Sequence, residues 1–391
     1  MSKPLKEITK KIASGATPRG GKESYKDFGI SLIRSQNILD FDFDYNGLAF
    51  IDEDQAQKLK NVIVEKNDIL LNITGDSVAR CSIVPEQVLP ARVNQHVMII
   101  RVDDKQANYK YVFYYLQYIK RYLLQLASGG ATRNALTKTM IENLEYNHRS
   151  IEEQEAIANI LSSLDDKIEN NNAIIANLEE QAQAIFKSWF INFEPFQDEE
   201  FVDSELGRIP RNWRIATLKE FFPVVTGKKN ANIATENGKY PFFTCAQDIS
   251  YTDDFSFDDH AILVAGNGDF NVKRFKGKFE AYQRTYVLIP SDENLTGLLY
   301  HLINHYLKNI VSGYKGSVIN YITKGMIEDF KFPFPNKIEE VGIVDVFNTI
   351  EKKIAYTKRE NIKLEEIRDT LLPKLMSGEI RVEEAIEVEE M

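Results

Sequence analysis

Side chains able to form paired hydrogen bonds gather in short polar stretches of this chain. In its first half, SGATPRGGKES is followed by TGDSVAR with Arg80, and by VNQH with Asn94, Gln95 and His96. SGGATRN then supplies Thr132, Arg133 and Asn134. The second half offers TGKKNAN with Lys228 and Lys229, and GNGDFNVKR with Lys273 and Arg274. YQRT adds Gln283 and Arg284, and SGYKGSVIN adds Lys315 and Ser317. Arg, Asn and Gln are the side chains that bond guanine and adenine edges through two atoms at once, while Lys, Ser and glycine amides hold phosphate. Taken singly, each stretch reads as an ordinary turn, since Gly, Asn, Asp and Ser dominate turns. Their weight comes from matched clusters at matching places in two halves that otherwise diverge.

Catalytic readings fare worse. The stretch from Gly15 to Lys22 misses the phosphate-loop spacing, and Glu23 rather than Ser or Thr follows the lysine. GNGDF is a fragment of a dinucleotide motif. His301 and His305 are four apart, yet no Glu follows His301 and no third ligand is evident, so both read as helix-face histidines. The chain has no Pro-Pro and no Pro-Asp, which removes the Asp/Asn-Pro-Pro-aromatic signature of amino-methyltransferases and one nuclease signature. No nucleophile–base pair stands out. The expectation is a chain without catalysis or metal of its own.

What positions the polar stretches is a duplication. TKTMIENLEY at Thr137–Tyr146 returns as TKGMIEDFKF at Thr323–Phe332, 186 positions later. The same offset sets Leu161 on Phe347, Leu164 on Ile350, and Leu178-Glu179-Glu180 on Leu364-Glu365-Glu366. Upstream, with gaps, GISLIRSQNI resembles KYPFFTCAQDI, and VNQHVMIIRV echoes YQRTYVLIP. A period just under 200 residues is too long for a solenoid and implies two similar halves.

Each half ends in a heptad pattern. Ile157, Leu161, Leu164, Ile168, Asn171, Ile175, Leu178, Ala182, Ile185 and Trp189 step by four and three. Ile343, Phe347, Ile350, Ile354, Thr357, Asn361, Leu364, Arg368, Leu371 and Leu375 repeat the stepping with more polar members. Such spacing argues for coiled-coil packing, with Asn171 fixing register. Helices of 35–40 residues, roughly 50–60 Å, need a partner, and each is the natural partner of the other. A pseudo-two-fold axis would pack them antiparallel, with a globular region at each end of a dumbbell.

The globular regions read as mixed strand and helix. Strands are expected at ISLIR, DILLNI, CSIVP, HVMIIRV, AILVAG and TYVLIP, and helices over Tyr109–Ala127 and Thr296–Val311. The fold class is therefore α+β. Its segments are 1–148 (first globular region), 149–195 (first helix), 196–335 (second globular region), 336–385 (second helix) and a short acidic tail, 386–391.

Charge follows these boundaries. The 391 residues carry a formal net charge of −10. Residues 149–205 hold 3 Lys and Arg against 14 Asp and Glu, whereas 1–148 and 206–335 are each +3. An acidic protein fails the usual basic-footprint test for nucleic acid, but the acid is concentrated in the helices. No segment approaches the roughly 18 apolar residues of a membrane span, and MSKPLKEITKKIASG lacks the apolar core of a signal peptide. Two cysteines, Cys81 and Cys245, support no disulfide framework, so a reducing cytoplasm is expected.

ATRNALTKTMIENL and the following SIEEQEAIANILSSLDDKIENNNAIIANLEEQAQAIFKSWF resemble the specificity subunit of type I restriction–modification systems. DSELGRIPRNWRIATLKE is similar to that family's opening of the second half, and PKLMSGEIRV to its closing stretch. The resemblance spans essentially the whole chain. It implies two target-recognition domains, one per half of a split site in double-stranded DNA, with the helices as a ruler between them. It also implies docking of DNA adenine methyltransferase subunits, two of them, and of restriction/translocase subunits through the complex. S-adenosylmethionine, ATP and magnesium would belong to those partners and no cofactor to this chain. Asp165, Glu169, Glu179 and Glu365 are then expected on outward helix faces against the methyltransferase. Because the polar stretches differ between the halves, the two half-sites should differ. Two rivals stand beside this reading: a coiled-coil scaffold whose globular ends bind protein, and a specificity protein of a differently organised restriction enzyme.

Overall fold

The computed structural model describes residues 2–18, 20–129, 134–235, 238–312 and 321–382. They divide into two compact units: Met1–Asn170 with Glu360–Met391, and Asn171–Arg359. Neither unit breaks at 148 or 335. Each takes one part of each long helix, Ile151–Phe186 and Ile343–Ser377.

In unit 1 an antiparallel sheet orders the strands Thr9–Ser14, Val97–Val102, Ile69–Asn72 and Cys81–Ile83. A second sheet orders Ala49–Ile51, Ile30–Ile33, Ala91–Val93 and Ile63–Val64, with its central pair parallel. Alternate residues of the first sheet feed different cores. Ile69, Leu71, Met98 and Ile100 join the helices, whereas Leu70, Val97 and Ile99 join the second sheet. Burial on both faces is why DILLNI and HVMIIRV read as unbroken apolar runs. The helix expected over Tyr109–Ala127 is two, Tyr109–Tyr118 and Lys120–Ser128, because Ile119 leaves helical geometry at φ −87°, ψ 11°.

Unit 2 has one mixed sheet of six strands: Val224–Thr226, Thr285–Leu288, Phe257–Ala265, Val272–Ala281, Tyr240–Phe243 and Ser250–Thr252. The strand Val272–Ala281 pairs antiparallel with Phe257–Ala265 along most of its length and parallel with Tyr240–Phe243 at its end. It occupies the places of both Cys81–Ile83 and Ala91–Val93, which fuses two sheets into one. This corrects the sequence reading of GNGDFNVKR as a single polar corner: Lys273 and Arg274 are strand residues. The signal was period-two, since Phe275, Phe279 and Ala281 join one apolar cluster while Lys276 and Lys278 between them are exposed.

The repeated TK motif starts a short helix in both units. Thr137 and Thr323 each accept a hydrogen bond from the backbone amide three residues on, Met140 and Met326, both at 3.3 Å. Ile141 and Ile327 are then fully buried. The strand that follows pairs antiparallel with the start of its half: Glu145–Asn147 with Ser2–Pro4, and Lys331–Pro335 with Trp213–Thr217.

Within unit 1 the long helices run antiparallel. Arg149 donates to the carbonyls of Leu375 and Met376 at 2.9 Å, Arg368 meets Asp165 at 2.9 Å, and Lys167 meets Glu360 at 3.7 Å, so one number falls as the other rises. Every position of the two predicted heptad series is buried or half-buried, including Asn171, Asn361, Thr357 and Arg368. Among the described residues no helix is long and apolar enough to cross a membrane.

Candidate nucleic-acid interface

The polar stretches of each unit are drawn together by the same few backbone bonds. In unit 2 the amide of Gly266 donates to Arg284 O at 2.8 Å, and that of Ile322 donates to Gly266 O at 2.7 Å. In unit 1 the amide of Ile73 donates to His96 O at 3.0 Å, and that of Leu136 to Ile73 O at 2.8 Å. Bridges between Asn267 and Tyr321, and between Thr74 and Ala135, complete the match. A glycine closes the far side of each. A Cβ on Gly15 would stand 1.7 Å from Val93 O, and one on Gly227 would stand 2.0 Å from Ala281 O. His96 therefore occupies the place of Arg284, Gln95 that of Gln283, and Ala135 that of Tyr321.

The same frame carries different chemistry. In unit 2 it encloses a cleft of 540 Å³ lined by Gly266, Asn267, Gln283, Arg284, Tyr286, Tyr321 and Ile322. The Tyr286 hydroxyl donates to Ile322 O at 2.8 Å and fixes the floor. Gln283 and Arg284 are exposed, and Tyr321 is 61% exposed. In unit 1 a line of side-chain bonds stands where unit 2 has the exposed Arg284. The Thr17 hydroxyl meets Gln95 Oε1, Gln95 Nε2 lies 3.0 Å from His96 Nε2, and His96 Nδ1 lies 2.6 Å from Thr74 Oγ1. An amide nitrogen only donates, so His96 Nε2 accepts and its proton sits on Nδ1. With that tautomer the Thr74 hydroxyl accepts from His96 Nδ1. Asn94 is buried, and its Oδ1 accepts from the His96 amide at 3.0 Å.

The remaining predicted residues are scattered around these frames. Arg80 is exposed at the next corner, its carbonyl accepting from Asn72 N at 2.8 Å. Asn271 holds the equivalent place in unit 2, accepting from Ala265 N at 3.0 Å. Asn134 and Lys228 are exposed. Lys229 is half-buried, and its carbonyl accepts from Gln283 N at 2.9 Å. Lys273 donates to Ala246 O at 2.6 Å, and burial lowers its pKa. Thr132, Arg133, Lys315 and Ser317 lie outside the described residues. Sequence reasoning passed over Tyr321, Asn267 and Thr17. The offset of 186 was the available signal for Tyr321, since it sets a large aromatic on Ala135 beside the TK motif.

Three residues differ from expectation. Arg274 is not offered outward: its guanidinium bonds Glu179 at 2.7 Å, pairs with Glu351 and lies 4.0 Å over the Tyr300 ring. Burial opposes its charge, but Glu351, Tyr300 and Glu179 more than offset this and raise its pKa. Glu179 is thereby committed inside unit 2. Asp165 is likewise turned inward, bonded by Arg368 at 2.9 Å and by the Tyr114 hydroxyl at 2.5 Å. Burial raises its pKa against those two bonds. The physical reason is common to all three: a charge at a buried position needs a partner. Glu169 and Glu365 remain exposed.

Comparison with known proteins gives this arrangement a family. The chain matches the type I restriction modification DNA specificity domain twice, over residues 1–180 and 210–366. It is 30% identical to the MjaIX type I restriction enzyme specificity subunit of Methanocaldococcus jannaschii over 98% of this chain and 94% of that one. It is 38% identical to the EcoDI specificity subunit of Escherichia coli over 45% of this chain and 40% of that one. Its fold is similar to the crystal structure of the type I restriction–modification S subunit from M. genitalium, with a TM-score of 0.55 at 18% identity over 96% of this chain and 95% of that one. The chain therefore belongs to the type I restriction–modification DNA specificity family.

Proposed function

We propose that this chain reads a bipartite DNA site, one half-site per unit, and presents it to adenine methyltransferase subunits held by its long helices. The observation that carries this reading is a frame built twice on the same central backbone bonds, with different side chains at its matching positions. A single backbone frame with His96, Gln95 and Ala135 in one copy and Arg284, Gln283 and Tyr321 in the other fits two different base sequences. Residues 1–148 and 206–335 are each net positive while 149–205, which include the first long helix, are strongly acidic, so DNA phosphates favour the former. The exposed carboxylates Glu169 and Glu365 are the part of the predicted acidic set that remains available to a partner subunit. In this reading S-adenosylmethionine, ATP and magnesium serve the partner subunits.

The test is methylome sequencing of a host carrying this chain with its methyltransferase, beside a strain lacking this chain. A methyladenine motif of two different half-sites at a fixed gap, present only with this chain, is the expected result. A methylation pattern unaffected by removing the chain would refute the proposal.

A further inference from the structure

Four of the arginines in region 206–335 are engaged within unit 2. Arg208 bonds Phe201 O, Arg211 pairs with Glu200, Arg214 with Glu220, and Arg274 with Glu179 and Glu351. Arg284 differs. Its backbone is fixed, since its carbonyl accepts from Gly266 N at 2.8 Å. Its guanidinium has no ion pair or hydrogen bond among the described residues, and it is exposed in the cleft. Beside it stand Gln283, Asn267 and the exposed Tyr321 ring. The two backbones approach closely here, since a Cβ on Gly266 would lie 2.5 Å from Arg284 O.

We infer that Arg284 is the base-reading residue of unit 2 and recognises a guanine, with Tyr321 packing against the adjoining base. The inference rests on the reading that unit 2 contacts one half-site of DNA. A fork of N–H donors with no partner among the described residues matches the N7 and O6 acceptors that guanine alone presents in the major groove. A tyrosine ring beside it supplies apolar contact at small conformational cost. The equivalent place in unit 1 holds His96, fixed by Thr74 and Gln95, so the corresponding position there is read by different chemistry. Residue 96 in unit 1 and residue 284 in unit 2 are thus matched specificity positions.

The experiment expresses the full chain with its methyltransferase, as wild type and as Arg284→Ala, Arg284→Gln and Tyr321→Ala, and sequences the methylome of each. Arg284→Ala is expected to relax one guanine of one half-site, with discrimination there falling roughly 5- to 150-fold. Arg284→Gln is expected to move preference at that position toward adenine, an outcome a structural role would not produce. Tyr321→Ala should lower methylation next to that position without changing the guanine. The other half-site and the gap stay constant. A wild-type bipartite motif that persists unchanged in Arg284→Gln would overturn the inference alone. Absence of any bipartite motif in the wild type would instead overturn the reading beneath it.

Discussion

Unit 1 and unit 2 each join their globular part to the long helices through an arginine, but from opposite sides. In unit 1 the arginine comes from a helix: Arg368 meets Asp165 and lies 3.7 Å over the Phe41 ring. In unit 2 it comes from the sheet: Arg274 reaches Glu179 and Glu351 on the helices and lies over Tyr300. The backbone bonds that join Gly266, Arg284 and Ile322 in unit 2, by contrast, recur at Ile73, His96 and Leu136 in unit 1. The duplicated unit thus keeps its backbone frame and its caps, while ion pairs and cleft side chains are solved separately in each copy. That division lets the two copies diverge in what they bind without losing the fold.

The largest effect should come from breaking the ties. Arg274→Ala removes the ion-pair partner of two half-buried carboxylates, Glu179 and Glu351, and should cost about 3–5 kcal/mol. Arg368→Ala leaves Asp165 its bond from Tyr114, so a smaller loss of about 1–3 kcal/mol is expected. Both tryptophans, Trp189 and Trp213, lie in unit 2, so indole fluorescence in urea follows that unit and tyrosine signals help follow the other. Equal losses would remove the contrast between the ties.

Glycine substitution sharpens the shared side of the comparison. Gly15→Ala and Gly227→Ala each drive a methyl into a backbone carbonyl and should cost about 1–3 kcal/mol apiece, by similar amounts. Urea midpoints would check this, and a neutral substitution at either site would show that the frames are not equivalent. The caps are a finer test. Thr137→Ala and Thr323→Ala should each cost about 1 kcal/mol, because each loses one bond to the same helix position.

Acid should separate the units least strongly but with opposite signs. Burial opposes ionisation of Glu351, yet His301 and Arg274 prevail and hold its pKa below the ordinary 4.5. Its contribution is complete above 4.5 and is lost as pH falls through the depressed value. Asp165 has its pKa raised above 3.8 by burial, so its contribution is complete below 3.8 and fades as pH rises through the raised value. Lowering pH from 5 toward 3.5 should weaken unit 2 before unit 1, as read from indole fluorescence against tyrosine signals.

The helices were legible in the sequence because their apolar periodicity is long and repeated, and even the polar breaks Asn171, Thr357 and Arg368 fall at buried seam positions. The two frames were legible only as clusters. Gln95, His96, Gln283 and Arg284 sit in them, but the opposite sides come from residues distant in sequence, Thr74 and Tyr321 among them. Arg274 was misplaced because a charged residue in an alternating strand looks like a corner residue until its partners, Glu179 and Glu351, are brought to it by the fold. Asp165 and Glu179 were misplaced for the same reason. Heptad spacing identifies the seam between helices, but not which flanking carboxylates a globular region will cover.

The central claim is that each unit reads its own half-site through the side chains of its own frame. It is tested most directly by replacing Thr74, Gln95 and His96 together with alanine, in the chain expressed with its methyltransferase, and sequencing the methylome. The account predicts that one half-site loses base preference while the other half-site and the gap between them stay as in the wild type. Equal weakening of both half-sites, with the protein still folded, would contradict it.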